Sequence, residues 1–129
     1  MRATKKILLV EDDSFTRFMM KEIIDTLEVD VDIAHNGQEG CDRLDSDPSG
    51  YGLVLMDIHM PKLSGIDATK LIRKKPTDPP RNVTIIAVTA DEQYHNTATV
   101  TKHGMDGFIA KPITAGELMG LVDRYCKAA

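Results

Sequence analysis

Four short, largely apolar runs constrain the fold more than any other feature of this sequence. Runs of this length, bounded by polar or turn-forming residues, are typical of buried β-strands. Each run is followed at once by residues suited to phosphoryl transfer: Glu11 and Asp12, Asp57, Thr89, and Lys111. In chain order, the runs are Ile7–Val10, Leu53–Met56, Val83–Val88 and Gly107–Ala110.

The segments between these runs alternate helix-like with strand-like patterns. After the first run, a cap at Asp13 or Ser14 precedes apolar residues at helical spacing, which we expect to pack in the core: Met19, Met20, Ile23, Ile24 and Leu27. Val29, Val31 and Ile33 then alternate with acidic residues, as in an edge strand. Five such alternations along the chain predict an α/β fold with helices on both faces of a parallel sheet.

The last two helical segments differ in how strongly their sequences favour a helix. The segment from Asp91 to Lys102 is polar and rich in threonine, and its central stretch, 96–101, is poor in strong helix formers. We therefore expect a helix that frays or shifts easily and acts as a conformational lever. The final helix begins with a capping box formed by Thr114 and Glu117.

The polar residues that follow the four runs are expected to meet in space. Parallel strands present their carboxyl ends on one edge of a sheet, and ligands of open α/β sheets bind outside that edge. Three carboxylates, a hydroxyl group and an ammonium group would therefore line one pocket. This combination favours a phosphoryl-transfer site, because charge stabilisation is the main contribution of a protein to that chemistry.

Composition narrows the class of protein. A chain of 129 residues fits one domain, and a net charge of −4 argues against nucleic-acid binding through a basic face. Cys41 and Cys126 are far apart, which is typical of reduced thiols. The basic N-terminus leads into only four apolar residues, too few for a signal peptide or membrane span. We expect a soluble cytoplasmic protein without an output domain, and the ends of the chain favour a free-standing one, although an excised domain would look the same.

The motifs that carry a family resemblance stand at the ends of the predicted strands. They are Val10-Glu11-Asp12, Met56-Asp57 through Pro61 with Gly65, Thr89-Ala90 and Lys111-Pro112. In this order the chain resembles, over essentially its whole length, the receiver domain of bacterial response regulators. The resemblance implies a flavodoxin-like, doubly wound sheet of five parallel strands in the order 2-1-3-4-5, with five helices. The sequences of residues 58–61 and 104–107 are similar to the corresponding sequences in receiver domains of hybrid kinases.

The same resemblance implies a chemistry for the pocket. Asp57 would accept a phosphoryl group from a histidine kinase or a histidine phosphotransfer protein, and the result would be read by a downstream protein. Glu11 and Asp12 would hold Mg²⁺, Asp12 directly and Glu11 through water, together with Asp57 and the backbone carbonyl of His59. Such a protein is a phosphoacceptor with slow self-dephosphorylation and not an enzyme.

The resemblance also implies which residues would respond to the phosphoryl group on Asp57. Lys111, aimed by a cis bond to Pro112, would pair with Asp57 and then with the phosphoryl oxygens, and Thr89 would supply a hydroxyl group. Thr89 and Phe108 would form the switch. A half-buried strand residue without a signalling role is the alternative interpretation of Phe108.

Two aromatic residues of the first helix are candidates for partner binding. At 100° per residue, Phe18 lies almost opposite the apolar stripe, and Phe15 lies beside it. Scattered exposed apolar residues are common, so these two need no special role. The family, however, uses this helix to dock a helical kinase or phosphotransfer partner, and we assign Phe15 and Phe18 to that surface.

Other assignments of function stay open at this point. One is a Mg²⁺-dependent phosphatase with Asp57 as a transient nucleophile, although such enzymes usually carry an acid where this chain has His59. A receiver domain excised from a hybrid kinase and a scaffold that is never phosphorylated are two more. The remaining histidines show no metal-ligand spacing, and we expect them to face solvent: His35, His95 and His103.

Overall fold

The computed structural model describes residues 3–127, which form one parallel sheet with helices on both faces. The strands are β1 Lys6–Val10, β2 Val31–Ala34, β3 Tyr51–Asp57, β4 Ile85–Thr89 and β5 Gly107–Ala110. The helices are α1 Ser14–Ile24, α2 Gly37–Ser46, α3 Gly65–Arg73, α4 Thr97–Lys102 and α5 Ala115–Tyr125. Residues 1, 2, 128 and 129 lie outside the described residues, and with them the chain ends on which the expectation of a free-standing protein rests.

The strand order confirms the predicted topology. The order is β2-β1-β3-β4-β5, and every neighbouring pair is parallel. Successive connections reverse direction after β2, so the carboxyl ends of β1 and β3 flank the switch point where ligands bind in such sheets. The fold is therefore flavodoxin-like, with five helices as predicted.

Both faces of the sheet are covered by helices, which explains why its central strands are nearly continuous apolar runs. On one face, alternate residues of β1 and β3 such as Leu8 and Val54 pack with α2, α3 and α4. On the other face, residues such as Leu9 and Leu55 pack with α1 and α5. Two apolar layers thus hold the strand ends in fixed positions.

Capping residues fix where each helix begins and therefore where the loop after the preceding strand ends. Asp13 is the cap of α1, because its carboxylate accepts from the backbone N–H of Thr16 at 2.8 Å. The predicted capping box of Thr114 and Glu117 is present at the start of α5. Since α1 begins at Ser14, only a three-residue loop separates its first residue from the end of β1.

Several local expectations are corrected by the structure. Met19 is 47% exposed and does not pack in the core, because the buried residues of α1 are Met20 and Ile24, and Met19 lies one helical step to the side of that stripe. Strand β2 begins at Val31, so Val29 precedes it. The predicted helix over 91–102 is divided into a 3-10 turn, Glu92–Tyr94, and the six-residue α4.

No helix within residues 3–127 has the length and the apolar character needed to cross a bilayer.

Candidate functional site

Three carboxylates meet at the switch point of the sheet. Glu11 follows β1, Asp12 is next to it, and Asp57 ends the neighbouring strand β3. One oxygen from each lies within 4.8 Å of the other two. Glu11 and Asp57 are buried, whereas Asp12 is exposed. A small group of carboxylate oxygens with one open side suits Mg²⁺, which takes oxygen ligands and keeps several waters.

Lys111 reaches this cluster from the end of β5. Its Nζ lies 2.8 Å from Oε1 of Glu11 and 3.6 Å from Oδ1 of Asp57. The expected partner was Asp57, so the structure adds a nearer one in Glu11. The peptide bond between Lys111 and Pro112 is cis, as expected.

Burial and crowding change the acid–base properties of the cluster. Loss of hydration, followed by the side chain of Glu11, raises the pKa of Asp57 to about 8. Burial alone would lower the pKa of Lys111, but the carboxylates of Glu11 and Asp57 outweigh that effect and raise it. In the metal-free protein the crowded carboxylates therefore hold a proton near neutral pH, and a cation could replace that proton.

One oxygen of Glu11 is short of hydrogen-bond donors. Oε2 accepts from the backbone N–H of Asp13 at 3.2 Å, but Oε1 is fully buried without a hydrogen bond from any residue in the described range. The cation that faces Oε1 is the ammonium group of Lys111, 2.8 Å away. A buried carboxylate oxygen in this position fits a site that holds a hydrated cation.

Thr89 ends β4 beside the end of β3, with Val88 in register with Asp57. Its hydroxyl oxygen accepts from the backbone N–H of Asp91 at 3.0 Å, and its own hydrogen stays available for donation. The residue is buried, with 2% of its surface exposed. The structure therefore places this hydroxyl group at the same sheet edge as the carboxylates.

Two further polar residues, which the sequence places two positions beyond Asp57 and Thr89, make a direct contact that the sequence did not predict. Nε2 of His59 lies 2.7 Å from Oδ2 of Asp91, and this contact with His59 lowers the pKa of Asp91. A signal was available in the sequence, because each residue stands two positions after the end of one of two strands that prove to be neighbours. The pair joins the loop that follows β3 to the loop that follows β4.

His95 contacts both predicted switch residues and is only partly exposed, so the expectation that it faces solvent was wrong. Its Nε2 lies 2.8 Å from the backbone oxygen of Thr89, and its ring stacks on Phe108 with centroids 5.7 Å apart. Phe108 itself is half-buried. His103 is also partly covered and lies near Tyr94. His35 is exposed as predicted.

The two aromatic residues of α1 are exposed as predicted, Phe15 by 70% and Phe18 by 60%. Phe15 lines an apolar groove of about 400 Å³ between α1 and the β5–α5 loop, whereas Phe18 lies outside the groove lining. Lys111 also lines this groove. The other lining residues come from α1, its partner loop and the β4 end: Thr16, Met19, Met20, Ile23, Ala90, Pro112 and Ile113.

Comparison with known proteins gives a consistent result. Residues 7–123 match the family described as the response regulator receiver domain. The chain is 34% identical over 120 residues to the transcription factor SKN7 of Chaetomium thermophilum, covering 93% of this chain and 15% of that protein. It is 32% identical over 127 residues to the osmosensing histidine protein kinase SLN1 of Saccharomyces cerevisiae, covering 95% of this chain and 10% of that one. The chain thus spans only a small part of these relatives.

A solved structure of similar shape contains a metal. It is the receiver domain of the sensor histidine kinase PA1611 from Pseudomonas aeruginosa PAO1, with a magnesium ion coordinated in its active site cleft. The TM-score is 0.82 at 29% identity, covering 95% of this chain and 98% of the other. The similarity therefore includes the whole fold on which the acidic cluster is built.

Proposed function

Because this chain belongs to the response regulator receiver domain family of two-component systems, we propose that it accepts a phosphoryl group on Asp57 and signals by protein contact. Receiver domains are phosphoacceptors in signalling rather than enzymes in the usual sense. The observation that carries the assignment is the position of Asp57, which ends a central strand within reach of two acids and Lys111.

The proposed chemistry is a transfer from phosphohistidine. A carboxylate oxygen of Asp57 attacks phosphorus, the P–N bond breaks, and its electron pair returns to the imidazole, which takes up a proton. The product is an aspartyl phosphate and a free histidine side chain. Lys111 would then pair with the phosphoryl oxygens, and the hydroxyl group of Thr89 would donate to another of them.

We assign Mg²⁺ to the acidic cluster as its cofactor. Asp12 and Asp57 would be direct ligands with the backbone carbonyl of His59, and Glu11 would act through water. Support comes from the closeness of the three carboxylates and from the burial of Glu11 and Asp57. When bound, the ion would offset the negative charge on the phosphoryl oxygens.

The groove beside α1 is the proposed docking site for the phosphate donor. It lies next to Lys111, so a partner helix in it would bring its histidine toward Asp57. Phe15 offers exposed aromatic surface within the groove, and Phe18 offers it on the same helix outside the groove lining. Relatives named as histidine kinases agree with a histidine kinase or a histidine phosphotransfer protein as this donor.

Phosphorylation by a small donor tests the assignment. The protein is incubated with Mg²⁺ and a small acyl phosphate, and its intact mass is followed over time. We expect an adduct of one phosphoryl group that decays slowly, its loss in Asp57→Asn, and its retention in Asp67→Asn, an exposed acid of α3. An adduct that persists in Asp57→Asn would exclude this phosphoacceptor, whereas rapid steady turnover would favour a phosphatase.

A further inference from the structure

Arg17 connects α1 to the loop that carries two of the three carboxylates. Its Nη1 donates to the backbone oxygen of Asp12 at 2.8 Å and to that of Glu11 at 3.1 Å. The residue is partly buried, and it stands in α1 between Phe15 and Phe18. A single guanidinium nitrogen therefore holds both carbonyl groups of the acidic pair.

The rest of this loop is ordered by local contacts. The N–H of Asp13 donates to Oε2 of Glu11, and the N–H of Glu11 donates to the backbone oxygen of Ala34. These contacts fix Glu11 and the helix start more directly than they fix Asp12, whose side chain is exposed. The shorter of the two Arg17 contacts is the one to Asp12.

The carboxylates need such support because they repel one another. Three acidic groups within 4.8 Å disfavour the arrangement in which all are ionised, and that ionised arrangement is the one a divalent cation needs. An exposed aspartate on a loop could relieve the repulsion by turning toward solvent. A cation that holds the backbone on both sides of the Glu11–Asp12 peptide opposes that movement and also reduces the local excess of negative charge.

We propose that Arg17 is a positioning residue for the metal site, which keeps Glu11 and Asp12 directed at Asp57 and so strengthens Mg²⁺ binding. This inference rests on the proposed function. Arginine suits the role because a lysine side chain is one bond shorter from Cα to its terminal nitrogen. Lysine would therefore keep the charge without matching the reach to both carbonyl groups.

Calorimetric titration of the metal-free protein with Mg²⁺ tests this inference. In Arg17→Met we expect about tenfold weaker binding, as is usual when a partner outside the ligand shell is lost. Arg17→Lys should bind several-fold more weakly than wild type although its charge is kept. Arg43→Met, which removes an exposed arginine of α2, is the matched control and should bind as wild type does. Thermal unfolding without metal checks that each variant is folded.

The outcomes separate this inference from the proposed function. Wild-type protein that binds no Mg²⁺ and forms no phosphoryl adduct would contradict the proposed function itself. Wild-type protein that binds Mg²⁺, with unchanged affinity in Arg17→Met, would overturn only the role of Arg17. Wild-type Mg²⁺ affinity in Arg17→Lys, or a loss of affinity in Arg43→Met equal to that in Arg17→Met, would mean that only the positive charge matters. Either result would also overturn the positioning role of Arg17.

Discussion

The Asp57 carboxyl group lies in surroundings that disfavour its ionised form. Burial and the nearby Glu11 raise its pKa to about 8, although Lys111 acts in the opposite direction. Under the proposed function, a cation that entered the cluster would replace this proton, and Asp57 would become a full carboxylate able to attack phosphorus. At the scale of single residues, the proposed function therefore predicts that metal binding prepares Asp57 for phosphoryl transfer.

Removal of this carboxyl group should stabilise the metal-free protein near neutral pH. An aspartate has a pKa of about 3.9 in the unfolded chain, so a raised pKa in the folded state favours folding with the proton bound. The contribution of Asp57 to stability is then most favourable below about pH 4 and falls as pH rises toward its folded pKa of about 8. Asp57→Asn cannot ionise and should be more stable at pH 8, by on the order of 1 kcal/mol or more.

Urea unfolding of both proteins without divalent cations, at about pH 4 and about pH 8, measures this difference. The advantage of Asp57→Asn should shrink toward the lower pH. Asp67→Asn serves as the control for a change of charge at an exposed position. A wild-type protein that is the more stable of the two at the higher pH would show that Asp57 is not destabilised by burial.

The pair formed by His59 and Asp91 should control how long the aspartyl phosphate lasts. Its members lie 2.7 Å apart, each two positions beyond the end of β3 or β4, where they would screen or orient an attacking water. We expect His59→Ala and Asp91→Ala each to change the decay rate several-fold, on the order of 1 kcal/mol in the barrier. Because the two side chains act through one contact, the change in the decay barrier of the double variant should differ from the sum of the changes in the two single variants.

Decay is followed by intact mass after removal of the small donor. His35→Ala is the control, because His35 is an exposed histidine paired with Glu39. Unchanged decay in both single variants would remove the pair from the hydrolysis chemistry. Additive changes would mean that the two residues act separately.

Among the elements, α1 combines three tasks on three sides. Met20 and Ile24 pack in the core, Arg17 holds the acidic loop, and Phe15 and Phe18 are exposed. Under the proposed function, the same helix would both shape the site and receive a partner.

Phe18→Ala should weaken transfer from the cognate kinase without changing the reaction with a small donor. The side chain is 60% exposed, so its truncation should leave the free energy of unfolding nearly unchanged. At an interface, loss of an aromatic anchor costs more than about 1 kcal/mol, which is about a fivefold loss of affinity or more. Leu71→Ala, which truncates another exposed apolar residue on α3, is the matched control. An equal loss with both donors would indicate a structural role for Phe18.

For the whole molecule, the sequence was sufficient for the features that depend on strand order. The apolar runs identify the strands, and parallel topology then brings Glu11, Asp57 and Lys111 to one edge. Contacts made by residues beyond the strand ends could not be predicted in this way. His95 contacts Phe108 because it follows the 3-10 turn Glu92–Tyr94, and the sequence pattern does not predict the direction of that turn. The exposure of Met19 depends on how α1 is rotated about its axis.

Stability should be distributed unevenly across the molecule, with the weakest part on the β4–α4 side. Helix α4 has six residues, and its sequence Thr97–Lys102 contains β-branched residues that each disfavour helix by up to about 0.7 kcal/mol. Short helices are marginal without tertiary support. Just beyond its carboxyl end, Nε of Arg73 donates to the backbone oxygen of Gly104 at 2.8 Å, whereas its amino end follows the turn that carries His95.

Amide hydrogen exchange across the whole chain tests this distribution. In the unphosphorylated protein we expect faster exchange over 92–100 than in α1, and intermediate exchange near Gly104, where Arg73 holds the chain. A phosphoryl mimic at Asp57 would engage Thr89, whose backbone oxygen accepts from His95, so the same segment should change its exchange while α1 and β1 stay as they were. Protection over 92–100 equal to that of α1, unchanged by the mimic, would place the conformational lever elsewhere in the fold.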